Sequence, residues 1–329
     1  MTHEFIDIVK AYKNACLQGT KSVLATVVAL NGSSYRKPGV RMLITAKGEL
    51  TGAVSGGCVE KEIVRQAQSV FKTGIPTMMT YDGRYRLGCE GIIYILIEPF
   101  HLSKACLDAL QNTIDKRYSF AIKSYYSMQT TPSNALGSVL HLNDIDYPIQ
   151  TIIPEEQTLI FEHVLPPNFR LLIFGNEHDS IQLCKFTALC GWDIEILTAS
   201  PQVEHLTSFS DAKMVKYIQP DAIQNMVFDS ETAVVLMTHN YAKDLAYLLE
   251  MAKHSQIPNY IGILGSKGRM RQLESSLFEH LPDLNDAFID VLHGPAGLDI
   301  GSITPQEIAI SILSEITQHV RKNIPVLQN

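Results

Sequence analysis

The chain is poor in cysteine, six in 329 residues, so no disulfide framework can hold it together. No stretch approaches the ~18 uninterrupted apolar residues of a membrane-spanning helix. Base is not in excess either. With 27 Lys and Arg against 34 Asp and Glu, the formal net charge is −7, which argues against bulk nucleic-acid binding but not against a local basic patch. There is no internal repeat and no low-complexity tract. The opening MTHEFIDIVKAYKNACLQG has acids where a secretory leader needs bases, and no continuous apolar region. Sparse thiols and no leader imply free cysteines in a reducing, cytoplasmic compartment. What is present is globular, 46% hydrophobic and 19% charged, with length for about two domains.

The first half predicts a mixed α+β domain with mostly local pairing. Phe5, Ile8, Val9, Tyr12 and Cys16 recur at helical spacing. SVLATVVAL reads as a buried strand, and VRMLITAKGELTGAV as a hairpin turning at Lys47-Gly48. SGGC then opens a helix that ends near Gly74. TMMTYD and GIIYILIEP form a strand pair, a helix starts near Leu102, and SFAIKSYYS, ALGSVLHL and YPIQTII are short strands. The second half alternates strand and helix in RLLIFGNEHDSIQLCKFTALCGWDIEILTA, AVVLMTHNYAKDLAYLLEMAK and YIGILGSKGRMRQLESSL. That rhythm predicts a doubly wound parallel sheet of Rossmann type. Pro166-Pro167 breaks both helix and strand, which places the domains at 1–165 and 166–329.

Chemistry concentrates at two places. In SGGC, Gly56 and Gly57 allow a ligand close to the backbone. The first amides of the following helix can cradle an anion, and a thiol there, Cys58, is biased toward thiolate. A second glycine-flanked thiol, Cys89, lies in RLGCEG, and the bases Arg36, Lys37, Arg41, Arg84 and Arg86 lie near these loops in sequence. Five bases around two such cysteines suit a phosphate-bearing ligand with a soft-metal or sulfur partner. The other cysteines, Cys16, Cys106, Cys184 and Cys190, read as small buried residues on helices.

These motifs resemble a known family. GSSYRKPGVRMLI, GELTGAVSGGCVEKEI and LGCEGIIYILIEP are similar to the N-terminal domain of the XdhC/CoxI family, accessory factors of xanthine and carbon-monoxide dehydrogenases. LLIFGNEHD, THNYAKD, YIGILGSKGRMR and HGPAGLDIGSITPQEIAISILSEI extend the resemblance to the second half. The resemblance implies a chaperone that binds molybdenum cofactor transiently, assists its sulfuration and delivers it to an apo molybdenum hydroxylase of xanthine dehydrogenase type. It implies a cysteine desulfurase as a second partner, and a homodimer. Cys58 and Cys89 match the family's two N-terminal cysteines as molybdenum ligands. Ser55, Arg36, Arg41 and the Gly56-Gly57 amides would then hold the cofactor phosphate. Glu90, where the family has glycine after its second cysteine, disfavours a thiolate at Cys89.

The second place is the carboxyl edge of the C-terminal sheet, where such folds bind ligands. Its candidates are Gly175, His178, His239, Gly265, Ser266, Lys267, Gly297 and Asp299. The 265–269 turn has the residues for a phosphate. Histidines 178, 239 and 293 with Asp179, Asp244 and Asp299 do not make a tight metal motif. Two devices for NAD(P) are missing. Glu177 stands where G-x-G-x-x-G needs its second glycine, and DIEIL runs into Thr198-Ala199-Ser200 where a ribose-binding acid belongs. This argues against the alternative of an NAD(P)- or nucleotide-dependent oxidoreductase.

Overall fold

In a computed structural model of the chain, the described residues are 1–32, 37–83, 91–150, 155, 158–199 and 207–322, with Cys58 and Lys322 described by their backbone only. The chain divides into two compact units, Met1–Pro167 and Asn168–Asn329.

The first unit runs α1 (Thr2–Leu17), β1 (Ser22–Asn31), β2 (Arg41–Thr45), β3 (Leu50–Gly52), α2 (Cys58–Thr73), β4 (Thr77–Asp82), β5 (Ile92–Pro99), α3 (Lys104–Asp115), β6 (Phe120–Tyr126), β7 (Gly137–Leu142), β8 (Ile145–Pro148) and β9 (Leu159–Leu165). It holds two antiparallel sheets, ordered β3-β2-β1-β5-β4 and β8-β7-β6-β9. Strand β1 is nearly all apolar because both its faces are covered. Val23 and Ala25 pack on Ile63, Ala67 and Val70 of α2, while Leu24 joins Phe5 and Ile8 of α1, Leu110 of α3 and Ile122 of β6. Pairing is less local than the sequence predicts. β1 takes distant β5 as its second neighbour, and β6 pairs with β9, a strand just before Pro166-Pro167 that the sequence reading does not include. Ser103 caps α3 by accepting from the Cys106 amide at 3.1 Å, so that helix starts at Lys104 rather than Leu102. The third short strand ends at Pro148, earlier than YPIQTII predicts, and residues 151–153 lie outside the described residues.

The second unit runs β10 (Arg170–Phe174), α4 (His178–Leu189), β11 (Asp193–Thr198), β12 (Met214–Tyr217), β13 (Thr232–Leu236), α5 (Tyr241–Ala252), β14 (Tyr260–Ile263), α6 (Lys267–His280), α7 (Asp286–Asp290), β15 (Leu292–His293) and α8 (Pro305–Lys322). All pairings are parallel, and the order β12-β11-β10-β13-β14-β15 is that of a Rossmann sheet. Helices cover both faces. Leu183 of α4 and Ile312 and Ile316 of α8 bury one side, and Leu248 of α5 with Leu273 and Leu277 of α6 bury the other. A capping box opens α8. The Glu307 carboxylate accepts from the Ile303 and Thr304 amides, both at 2.8 Å, and the Glu307 amide donates to Thr304 Oγ1 at 3.3 Å.

Candidate functional site

In the first unit, α2 begins at Cys58 with Gly57 before it at φ 114°, a left-handed backbone that glycine adopts without strain. The preceding loop is held by one side chain. Glu60 Oε1 accepts from the amides of Val54 at 3.1 Å and Ser55 at 2.5 Å, and Oε2 accepts from Gly57 at 2.6 Å. Of the two glycine amides expected to cradle a phosphate, that of Gly57 is therefore already engaged. The Ser55 and Gly57 N–H groups already serve an anion, the chain's own Glu60 carboxylate. The sequence carried the signal, an acid three residues after a helix cap.

Arg41 is also placed otherwise than expected. It is buried, its Nη1 donates to the Gly39 carbonyl, and the same atom lies 2.9 Å from His163 Nδ1. Burial lowers this guanidinium to about 10 against the pull of Glu98. Burial, then the Arg41 charge, lowers His163 to about 4, so the ring is neutral and accepts the hydrogen bond. Through Nη1 this guanidinium joins the two sheets at Gly39 and His163, while its buried Nε and Nη2 have no partner among the described residues. Arg36 and Cys89, with Arg84 and Arg86, lie outside the described residues.

In the second unit, the β10 turn is built for strand packing. A Cβ on Gly175, at φ 138°, would collide with the Met237 carbonyl oxygen of the adjacent strand end. Glu177 is the residue before α4, and Thr198 Oγ1, at the end of β11, donates to Asn176 Oδ1 at 3.4 Å. His178 opens α4 exposed to solvent, and His239 sits exposed at φ 52° with Nε2 3.7 Å from Asp179 Oδ2. Asp244 is buried and committed to structure, accepting from Arg269 Nη2 at 2.6 Å and Thr238 Oγ1 at 2.5 Å. No group of three or more His, Cys, Asp and Glu suited to a metal ion occurs among the described residues.

Four of the expected residues do come together. Gly265, Lys267, Gly297 and Asp299 line one cavity of about 480 Å³ at the carboxyl edge of β14, walled by Leu264, Pro295 and Ile308. Ser266 beside it caps α6, accepting from the Arg269 amide at 3.2 Å. His178 and His239 do not line this cavity. A residue that the sequence reasoning missed fixes its wall. Glu315 Oε2 on α8 accepts from the Gly297 amide at 2.7 Å and from Tyr260 Oη at 2.6 Å. A charged residue one turn beyond an apolar helix face gave no local sign of that role.

Comparison with known proteins matches residues 15–82 to the XdhC and CoxI family and residues 171–316 to the XdhC Rossmann domain. A Bacillus subtilis protein described as a probable xanthine dehydrogenase subunit is 29% identical, over 93% of this chain and 95% of the relative. The molybdenum cofactor insertion chaperone PaoD of Escherichia coli is 24% identical, over 96% of this chain and 89% of the relative. A crystal structure described as a xanthine dehydrogenase from Bacillus halodurans superposes with a TM-score of 0.80 at 26% identity, covering 98% of both chains. With an N-terminal part and a Rossmann domain that match the same family's two models, the chain belongs to the XdhC and CoxI family.

Proposed function

We propose that this protein takes molybdenum cofactor as cargo and delivers it to an apo molybdenum hydroxylase of xanthine dehydrogenase type. The observation that carries this reading is similarity over 96% of the chain to a protein named as a molybdenum cofactor insertion chaperone. The first unit supports it chemically, because α2 opens with a cysteine and a thiolate is a fitting donor to a soft metal. In this reading Cys58 and Cys89 are the molybdenum ligands and Arg36 serves the cofactor phosphate. The Lys267 cavity is a separate subsite for an anionic group. A cysteine desulfurase supplies sulfur for sulfuration, and the protein works as a cytoplasmic homodimer. The Rossmann unit does this without NAD(P), since neither the second turn glycine nor a ribose-binding acid stands at the β10 and β11 ends.

The test is anaerobic binding of molybdenum cofactor to wild type, Cys58→Ala and Cys89→Ala, with NAD(H) titrated in parallel. The expected result is one cofactor per chain for wild type, at least tenfold weaker binding for Cys58→Ala, and a smaller loss for Cys89→Ala. Tight NAD(H) binding with no retention of cofactor overturns the reading in favour of an oxidoreductase.

A further inference from the structure

The first unit contains another cavity, of about 540 Å³, at the opposite end of α2 from Cys58. It lies where the C-terminal ends of α1 and α2 meet the start of β1 and the end of β5. Its walls are apolar: Val23, Val70, Phe71, Pro99 and Phe100. Its polar lining is one-sided. Lys21 and Lys72 bring two positive charges, and no carboxylate stands among the described lining residues. Both lysines are exposed, so neither charge is spent on a buried partner.

Ser22 lines the cavity and is 7% exposed, yet its Oγ has no hydrogen-bond partner among the described residues. That oxygen is itself closed to solvent, so it is not offered to an occupant of the cavity. The neighbouring Tyr12 hydroxyl is already committed, accepting from the Leu102 amide at 3.0 Å and lying 3.2 Å from His101 Nδ1. The carbonyl ends of α1 and α2 bring partial negative charge, but caps use part of it: the Gly19 amide takes the Cys16 carbonyl and the Gly74 amide the Val70 carbonyl, both at 2.9 Å. Two full lysine charges outweigh the remainder.

We propose that this cavity is a binding site for a small amphiphilic anion. Its aromatic or aliphatic body packs on Phe71 and Pro99, and its carboxylate or phosphate lies on Lys21 and Lys72. The proposal is independent of the cofactor reading, because none of its residues belongs to the cysteine loops. Cys16, an exposed thiol on the cavity lining, is a built-in reporter.

The experiment titrates the full chain with benzoate, phenyl phosphate and the neutral benzyl alcohol, by ligand-observed NMR. Cys16 alkylation is followed alongside by peptide mass spectrometry. Saturable binding of one of the two anions is expected, at least tenfold tighter than the alcohol, with Cys16 protected from alkylation at saturation. Whether the phosphate or the carboxylate binds more tightly identifies the anionic group. The surface variant Lys21→Ala/Lys72→Ala, which leaves the core intact, should weaken binding about tenfold by removing two charge contacts. Absence of saturable binding, equal binding of the alcohol, or binding indifferent to both lysines with Cys16 unprotected overturns the proposal. Cofactor binding by the lysine variant should equal that of wild type, so failure of the cofactor reading and failure of this one are told apart.

Discussion

Glu60→Ala is expected to lower the stability of the first unit by about 2 kcal/mol and to speed alkylation of Cys58 several-fold at pH 7. The stability figure follows from three amides that lose one acceptor. Each is a charge-assisted bond, but Glu60 is half-buried and Gly57 exposed, so each counts at the low end of its range. The reactivity change follows from electrostatics. A carboxylate at the start of α2 offsets the positive end of that helix, and removing it favours a thiolate at the first helical position. Glu60→Gln separates the two effects. It drops the charge while keeping an acceptor for Val54 and Ser55, so it should lose about 1 kcal/mol and still react faster. Thermal melts and peptide-resolved alkylation across pH 6–9 measure both. A purely structural Glu60 would shift the melt and leave the pH profile of Cys58 where it was. Slower alkylation in Glu60→Gln would contradict the electrostatic argument outright.

The Rossmann unit was legible because its pattern is local. Apolar runs of strand length alternate with amphipathic helices, and glycines punctuate them, as in LLIFG before α4 and IGILG before α6. Strands β12 and β15, of four and two residues, are too short to show a period and are specified by the neighbours they pair with. In the first unit β9 was hidden. Its Ile160, Glu162 and Val164 are all exposed, so the polarity contrast that betrays a half-buried strand is absent, and Pro166-Pro167 breaks the chain directly after it. The site was legible in residue type more than in role. Glycines 265 and 297 with Lys267 and Asp299 do share a cavity, since the carboxyl edge of a parallel sheet gathers its loops. Arg41 reads as surface because it is a base next to a polar loop, whereas Phe5 of α1 and His163 of the second sheet lie against it in the fold. Glu60 and Glu98 were passed over for one reason: an acid's partners are set by backbone amides and by strands far along the chain.

Glu98 carries the other large effect, a loss of stability as pH rises toward neutrality. It is fully buried between the sheets of the first unit and raised from 4.5 to about 7, chiefly by burial, with Ser138 and Arg41 pulling the other way. Its Oε2 accepts from the Ser138 amide at 2.7 Å, and Oε1 meets Ser138 Oγ at 2.6 Å, which in turn lies 2.8 Å from Ser124 Oγ. A neutral carboxyl fits this chain: its proton can go to Ser138 Oγ, whose own proton goes on to Ser124. Because the folded state holds the proton more tightly, the contribution is complete below pH 4.5 and is lost as pH rises through about 7. The full swing is about 3 kcal/mol. His163, lowered to about 4, acts in the opposite sense at lower pH, so the wild-type curve alone mixes the two groups. Glu98→Gln resolves them, because its amide can make the same two hydrogen bonds to Ser138 without titrating. The stability difference between wild type and this variant, from urea unfolding at pH 5 and pH 8, should move by about 2–3 kcal/mol in favour of the variant at the higher pH. A difference that is the same at both values would mean that Glu98 stays ionised in the fold, held by the Arg41 charge from the same sheet, and that the buried pair rather than the proton satisfies this site.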